Sequence, residues 1–390
     1  MKLTKLYIHN YKSFYDTTIE LDKLNIIVGE NNSGKSNLID VLEFIDIAMS
    51  KDIERAIDDK GGYDKIKNYS AVGEEKVVVR ATFEVNNDDF NDGFFSGRGC
   101  LLVSFSFTNK YSHLTCKVSI VSKNMNILDF ILSKKQFFGQ QMEKERLFIY
   151  PTLHENDKAL IKESYLMLFN YFKVYFGLST YYFDSHKIRD ISHKNSRAVR
   201  LVKNGSNLGK ILFSIKEENK NNFDLISNSL ITTVQEIEGI EVEETFGNYL
   251  IGFKERNKKP IPIQTVSDGT INFLATMTAL NEVDDGLLKE SFLLVFEEPE
   301  RHLHLNAVNY MLQAFRESDK QIIITTHSTE IIKYADLKEI VFIYRDSEGD
   351  TQSIRADAIP NLEQKMKRLA YERDVTLDEL IAEGMMGTFE

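Results

Sequence analysis

Apolar residues recur along this chain with two periods, and the change from one to the other divides it. Near the start, Leu6-Tyr7-Ile8 and Thr18–Leu21 read as strands, and the almost unbroken Leu24-Asn25-Ile26-Ile27-Val28 reads as a strand buried on both faces. Leu38, Val41, Leu42, Ile45 and Ala48 then follow at helical spacing. A polar, glycine-containing stretch from Asp58 to Gly73 leads to strands at Lys76–Val85, Cys100–Phe107 and His113–Val121. Alternation of Val77, Val79, Ala81 and Phe83 predicts a sheet with one buried face. Aromatic-rich helices are expected around Leu160–Phe176, where Tyr165, Leu168, Phe169 and Phe172 form a core stripe.

Beyond a strand-like Tyr181-Tyr182-Phe183, helices are predicted at Asn207–Glu217 and Phe223–Ile237. A hairpin pairing Glu241–Phe246 with Tyr249–Lys254 is expected to turn around Gly247-Asn248. The last third alternates strand and helix: Phe292–Phe296, Leu305–Arg316, Gln321–Thr325, Glu330–Tyr334, Lys338–Tyr344. That alternation predicts an α/β fold with a mostly parallel sheet, followed by a charged helix at Asn361–Glu383. No internal repeat or sustained heptad interrupts it.

Between the first buried strand and the first helix lies Gly29-Glu30-Asn31-Asn32-Ser33-Gly34-Lys35-Ser36, a complete G-x-x-x-x-G-K-S phosphate-binding loop. Its glycines let successive backbone N–H groups turn inward on a β-phosphate, and the helix N-terminus adds partial positive charge. Lys35 is placed to bridge β- and γ-phosphates and the Ser36 hydroxyl to ligate Mg²⁺. A nucleoside triphosphate with Mg²⁺ is therefore the expected ligand, held by Gly29, Asn31, Asn32, Ser33, Gly34, Lys35, Ser36 and Asn37. Glu297 and Glu298 close the Phe292–Phe296 strand, where open α/β sheets take ligands. Glu297 suits a metal held through water, and Glu298 suits a base polarising the attacking water. His327 ends the Gln321–Thr325 strand and is placed to donate a hydrogen bond to a γ-phosphate. Ser267 is an N-cap opening a helix with Gly269 in its first turn, an anion site in form.

The 390 residues are 42% hydrophobic and 27% charged, the composition of a globular protein with a substantial core. No run approaches the ~20 apolar residues a spanning helix needs, and no long apolar signal segment opens the chain, so a cytoplasmic location without membrane association is expected. A net charge of −11 argues against wholesale coating of nucleic acid, yet a basic segment remains: Lys187, Arg189, His193, Lys194, Arg197, Arg200, Lys203 and Lys210. Over residues 187–210 it could bind phosphate backbones; a solvated face or an arm docking an acidic partner is the preferred reading. Cys100 and Cys116 are expected as reduced thiols on neighbouring strands.

The phrases VGENNSGKSNLIDVL, VSDGT, EEPERHLH and TTHS, in that order, resemble the ABC-type ATPase heads of the RecF/SMC class, and more closely the OLD-like ATPases of prokaryotes. The resemblance runs from Leu6-Tyr7-Ile8-His9-Asn10-Tyr11-Lys12-Ser13-Phe14 to about residue 345. It implies an α/β, ABC-type P-loop head with a mixed, largely parallel core sheet, an antiparallel β subdomain and a helical insertion. The implied division is 1–85 and 241–345 for the two parts of the head, 86–240 for an inserted region and 346–390 for an extension. It further implies that the nucleotide is ATP, with a signature motif at Ser267, Asp268, Gly269 and Thr270 that reaches ATP on a second protomer. Glu298 would be the catalytic base, Glu300 to His304 the D-loop, and His327 the switch histidine. The implied assembly is a homodimer or higher homo-oligomer.

Three departures stand out. Asp268 occupies a place where transporter signatures have glycine, Glu297 replaces the commoner aspartate, and no Q-loop glutamine is identifiable among Gln136, Gln140 and Gln141. His302 and His304 are explained by the D-loop better than by a metal pair. The stretch after His327 is too short for the metal-dependent nuclease (TOPRIM) domain of OLD-like nucleases, so a separate effector protein, a nuclease or toxin in anti-phage defence, is expected. Two alternatives stay open: a RecF-like repair ATPase that binds DNA directly, and a slowly hydrolysing nucleotide-gated scaffold.

Overall fold

The computed structural model describes residues 1–70, 75–86, 97–122, 125–137, 146–149, 177–190, 199–255, 259–282, 291–360 and 362. Strands β1 (Lys2–Tyr11), β2 (Phe14–Glu20) and β3 (Leu24–Val28) lead into helix α1 (Lys35–Ser50). Two short helices follow, α2 (Ile53–Asp59) and α3 (Tyr63–Ile66), then β4 (Val77–Asn86), β5 (Gly97–Phe107), β6 (Tyr111–Ser122), β7 (Met125–Phe137) and β8 (Arg146–Ile149). Next come β9 (Leu178–Tyr181), α4 (Ser185–Arg189), α5 (Leu208–Glu218) and α6 (Lys220–Thr233), then β10 (Ile237–Thr245), β11 (Asn248–Glu255) and β12 (Ile261–Pro262). The remainder is α7 (Asp268–Leu280), β13 (Leu293–Glu297), α8 (Leu305–Glu317), β14 (Gln321–Thr326), α9 (Thr329–Tyr334), β15 (Ile340–Arg345) and β16 (Thr351–Arg355).

These strands form three sheets. The central one runs β16-β15-β3-β14-β13-β9, with β16 antiparallel to β15 and the rest parallel. An antiparallel sheet runs β2-β1-β4-β5-β6-β7-β8, and a small one β10-β11-β12. Alternation along the central strands feeds two cores. Ile27, Val295 and Ile323 join Leu42, Phe44 and the buried face of the antiparallel sheet, whereas Ile26, Phe296 and Ile324 join the helices α5–α8. Both faces of the parallel sheet are thus covered, which explains the unbroken apolar runs in β3 and β14.

One side chain sews the two large sheets together. Gln321, at the head of β14 and buried, accepts from the Leu3 N–H (2.8 Å) and donates to the carbonyls of Leu3 and Asp22 (both 2.7 Å). A buried amide with its donors and acceptor paired fixes the relative placement of β1 and β14 at little desolvation cost.

Several boundaries differ from the sequence expectation. The helix expected to reach Ile237 starts at Lys220, where the Asn219 side chain caps it, and ends at Thr233; Ile237 instead opens β10. Helix α2, capped by Asp52, ends just inside the polar stretch expected from Asp58 to Gly73 and α3 lies within it; their few apolar residues give no periodic signal. Thr245 pairs with Asn248, so the hairpin turns on Phe246-Gly247, with φ of 53° and 75°, one residue earlier than expected. Positive φ at both positions gives the twist that a two-residue hairpin needs. Cys100 is in no disulfide among the described residues, and β5 and β6, which carry the two cysteines, are neighbours. The aromatic helices expected around 160–176 and the charged helix at 361–383 lie outside the described residues.

An aromatic column holds β9 and β13 against α8: Phe296 stacks on Tyr181 (5.4 Å between centroids) and on Phe315 (5.2 Å). Phe296 is 1% exposed, so Phe296→Ala is expected to cost ~3–5 kcal/mol of stability, read as a fall in the denaturation midpoint.

Candidate functional site

Parallel register brings distant residues to one edge. Val28 of β3 pairs with Thr326 of β14, and Thr325 pairs with Glu297 of β13. The loops leaving those three strands carry the phosphate loop, His327 and Glu298, so segments some 300 residues apart in the chain emerge side by side.

The loop from Gly29 to Gly34 is tight and well backed. Gly34 takes φ 119° and caps α1, while Asn32 takes φ 67°. A Cβ on Gly29 would collide with the Ile343 carbonyl, and one on Gly34 with the Thr351 side chain. Thr351 donates to the Ser33 carbonyl (2.9 Å), and Asn37 donates to the Ser13 hydroxyl (2.8 Å). Arg345 donates to the Asn32 carbonyl (3.0 Å). Lys35 lies folded over the loop, donating to the carbonyls of Gly29 (2.5 Å) and Glu30 (2.8 Å). Burial lowers the Lys35 pKa, and Glu298, Glu297 and Glu30 oppose that shift. Asn31 and Ser36 are exposed, and the Ser33 hydroxyl is buried without a partner.

The acidic turn answers it. Glu298 has φ 48°, a left-handed conformation that costs of order 1 kcal/mol in a non-glycine residue. It is held there by donation from its N–H to the Thr325 carbonyl (2.9 Å). Its carboxylate meets His327 Nδ1 at 2.7 Å. Glu297, at the strand end, has its pKa raised by burial and by Glu298 and Glu43, against the pull of Lys203 and Lys35. Glu300 is more extreme: 7% exposed, with Oε2 unpartnered and Oε1 accepting from the Thr326 hydroxyl. Burial pushes its pKa up to about 7.

Ser267 and Gly269 belong to a neighbouring cluster at the start of α7. The Ser267 hydroxyl accepts from the Thr270 N–H (3.1 Å), as an N-cap does. A Cβ on Gly269 would strike the His302 carbonyl, so only glycine permits this approach of α7 to the turn after Glu298. Asn272 donates to the Arg301 carbonyl (3.2 Å) in the same contact.

The basic segment is not a free stripe. Arg189 pairs with Asp268 (2.5 Å), Arg200 donates to Ser291 (3.0 Å), and Lys203 pairs with Glu43 of α1. His193, Lys194 and Arg197 lie outside the described residues, as do Gln140 and Gln141; Gln136 sits in β7 opposite Ser112. Sequence reading also passed over Ser13 and Thr351, which back the loop, because isolated hydroxyls carry no periodic signal. Tyr69 was passed over too; 88% exposed, it edges a cavity of about 510 Å³ with Lys12, Ser13, Asn32, Asn37 and Asn68. Among the described residues no group of three or more His, Cys, Asp or Glu is arranged to hold a metal. No helix among them is long and apolar enough to cross a membrane.

Residues 24–333 match the model of a family described as "AAA domain, putative AbiEii toxin, Type IV TA system". The chain belongs to that family. No curated protein matches this AAA-domain chain. Its fold is that of an ABC-type P-loop ATPase head, as in an SMC head solved with the C-terminal winged-helix domain of ScpA: TM-score 0.52 and 16% identity over 91% of this chain and 98% of that one. The SMC head domain from Thermotoga maritima gives a TM-score of 0.44 at 14% identity, covering 91% of this chain and 99% of that one.

Glu300 generates a pH prediction for this AAA-domain chain. Its folded pKa lies above that of an unfolded glutamate, so its contribution is complete below about pH 4.5 and is lost as pH rises through about 7. Glu300→Gln, which mimics the protonated form, is expected to remove that loss and to gain roughly 2–3 kcal/mol at pH 8 relative to pH 5. Thermal melts of both proteins across this range check it.

Proposed function

We propose that this chain is an ATP-hydrolysing switch in which two protomers close around two ATP molecules and thereby control a separate effector, a nuclease or toxin, in prokaryotic anti-phage defence. The observation that carries this reading is the Glu298–His327 pair, 2.7 Å apart, beside the Lys35 loop. A general base and a polar partner meet there at the ends of adjacent strands, while Ser267 and Gly269 stand in a separate cluster against the turn after Glu298. One protomer therefore supplies two half-sites, and a second copy would complete each.

Gly29 and Gly34, backed closely by the Ile343 carbonyl and the Thr351 side chain, allow the tight curl of the loop, which fits a triphosphate lying against its backbone N–H groups. Lys35 would exchange its two loop carbonyls for β- and γ-phosphate oxygens. Ser36 and Glu297 supply hard oxygen donors, the kind Mg²⁺ takes, and the ion would neutralise charge on the bridging phosphates. Glu298 accepts a proton from the attacking water, and His327 leaves the carboxylate to donate to the γ-phosphate. Ser267 and Gly269 of the facing protomer bring a hydroxyl and a helix N-terminal N–H to that same phosphate. The cavity edged by Tyr69 and Lys12 offers space for the nucleoside. A DNA-binding reading has less support, because Arg189, Arg200 and Lys203 are engaged within the chain. Control of a defence effector rests on the family's toxin–antitoxin description, not on the geometry.

Lys35→Ala removes two charge-assisted contacts and is expected to weaken ATP binding ~100-fold or more, read by titration with a fluorescent analogue. Glu298→Gln is expected to bind ATP normally and to accumulate as a dimer with ATP–Mg²⁺ in light scattering. A variant equally monomeric with and without nucleotide would sink the two-protomer model.

A further inference from the structure

Asp268 poses a problem for that reading. It is the first residue of α7, between Ser267 and Gly269, so its carboxylate stands where a second protomer's γ-phosphate would arrive. Like charges brought together at an interface weaken it severely. We propose that Arg189 is a positioning residue that cancels this charge and fixes the signature turn for docking onto the partner's ATP; the inference rests on the two-protomer reading above.

The geometry is specific. Arg189 Nη1 donates to Asp268 Oδ1 at 2.5 Å, and Nη2 donates to the Val266 carbonyl at 2.7 Å. One guanidinium fork thus grips the residues on either side of Ser267, a planar, two-point hold that lysine cannot reproduce. The Gln264 amide donates to the Arg189 carbonyl (3.2 Å), tying the end of α4 to the 3₁₀ turn before the signature. On the opposite side, Gly269 lies against the His302 carbonyl. The turn is therefore clamped between a cation and the turn that follows Glu298.

Arg189 also sits at the end of a direct route from the catalytic sheet. It terminates α4, which follows β9 through Tyr182 and Phe183. Those two aromatics line a cavity of about 220 Å³ with Glu297, Glu298 and Arg301. The arginine is 19% exposed at its side chain and Asp268 37%, so the pair is accessible to an incoming phosphate yet partly shielded from water. A residue drawn by composition into a basic stripe acts here as an internal counter-charge.

The test uses the full chain in the Glu298→Gln background, with ATP–Mg²⁺-driven dimerisation measured by sedimentation velocity. Arg189→Ala is expected to weaken dimerisation about tenfold or more, and Arg189→Ala/Asp268→Asn to recover to within about threefold of the parent. Arg189→Lys, which keeps the charge without the fork, is expected to fall between them. Recovery on removing a negative charge is a response that a merely structural arginine would not give. Dimerisation of Arg189→Ala equal to the parent overturns the proposal, and so does a double variant as weak as the single. If the Glu298→Gln parent itself fails to dimerise with ATP, the two-protomer reading falls first, and its failure is distinguishable because no Arg189 variant is needed to see it.

Discussion

The placement of β14 between β3 and β13 is the constraint on which the site depends. Its pairings, Thr326 with Val28 and Thr325 with Glu297, set the phosphate loop, the histidine loop and the acidic turn at one level. A slip of one residue would turn every side chain of β14 to the opposite core and displace His327 from Glu298 by more than 3 Å. The register is defended from both ends: Gln321 anchors the start of β14 to Leu3 and Asp22, and Thr326 holds Glu300 at its finish.

Electrostatics impose the second constraint. Glu297, Glu298 and Glu300 crowd one turn, and two further carboxylates, Asp40 and Glu43, project from α1. The protein meets this density with cations drawn from unrelated elements. Lys12 pairs with Asp40 (2.6 Å), Lys60 bridges Asp40 and Glu43 (2.7 Å to each), and Lys203 reaches Glu43. Tyr11 and Thr180 add hydroxyl donors to the same two carboxylates. With Lys60 only 9% exposed at its side chain, this network is screened little by salt, and it fixes the helix that begins at the phosphate loop. Glu300 is treated differently: no cation pairs with it among the described residues, and burial pushes its pKa up to about 7.

Much of this was legible in the residues. The phosphate loop, the acidic strand end and the histidine strand each combine a motif with an apolar run, and β3, β13 and β14 lie within one residue of expectation. Family membership and the head fold agree with that reading at its coarser level. What escaped was long-range or aperiodic. The short helices α2 and α3 carry too few apolar residues to set a period, and the end of α6 was hidden because Val234 and Ile237 continue a helical spacing by accident. Arg189 and Lys203 looked like members of one basic run because sequence shows charge but not the carboxylates that fold onto it. The positive φ of Glu298 had no sequence signal at all; glutamate gives no hint of a left-handed turn.

The sheet order has a consequence for biosynthesis. Strand β3 is an inner strand whose two neighbours, β14 and β15, are encoded some 300 residues later. At about 5–20 residues per second, the apolar segment Leu24–Val28 waits roughly 15–60 seconds on the ribosome without either lateral partner. The antiparallel hairpin of β1 and β2 can form early, but the nucleotide cradle cannot. A nascent chain interrupted before β14 would therefore present an unpaired, aggregation-prone strand and no functional phosphate loop, so the capacity to bind nucleotide arises only once β14 and β15 have been made.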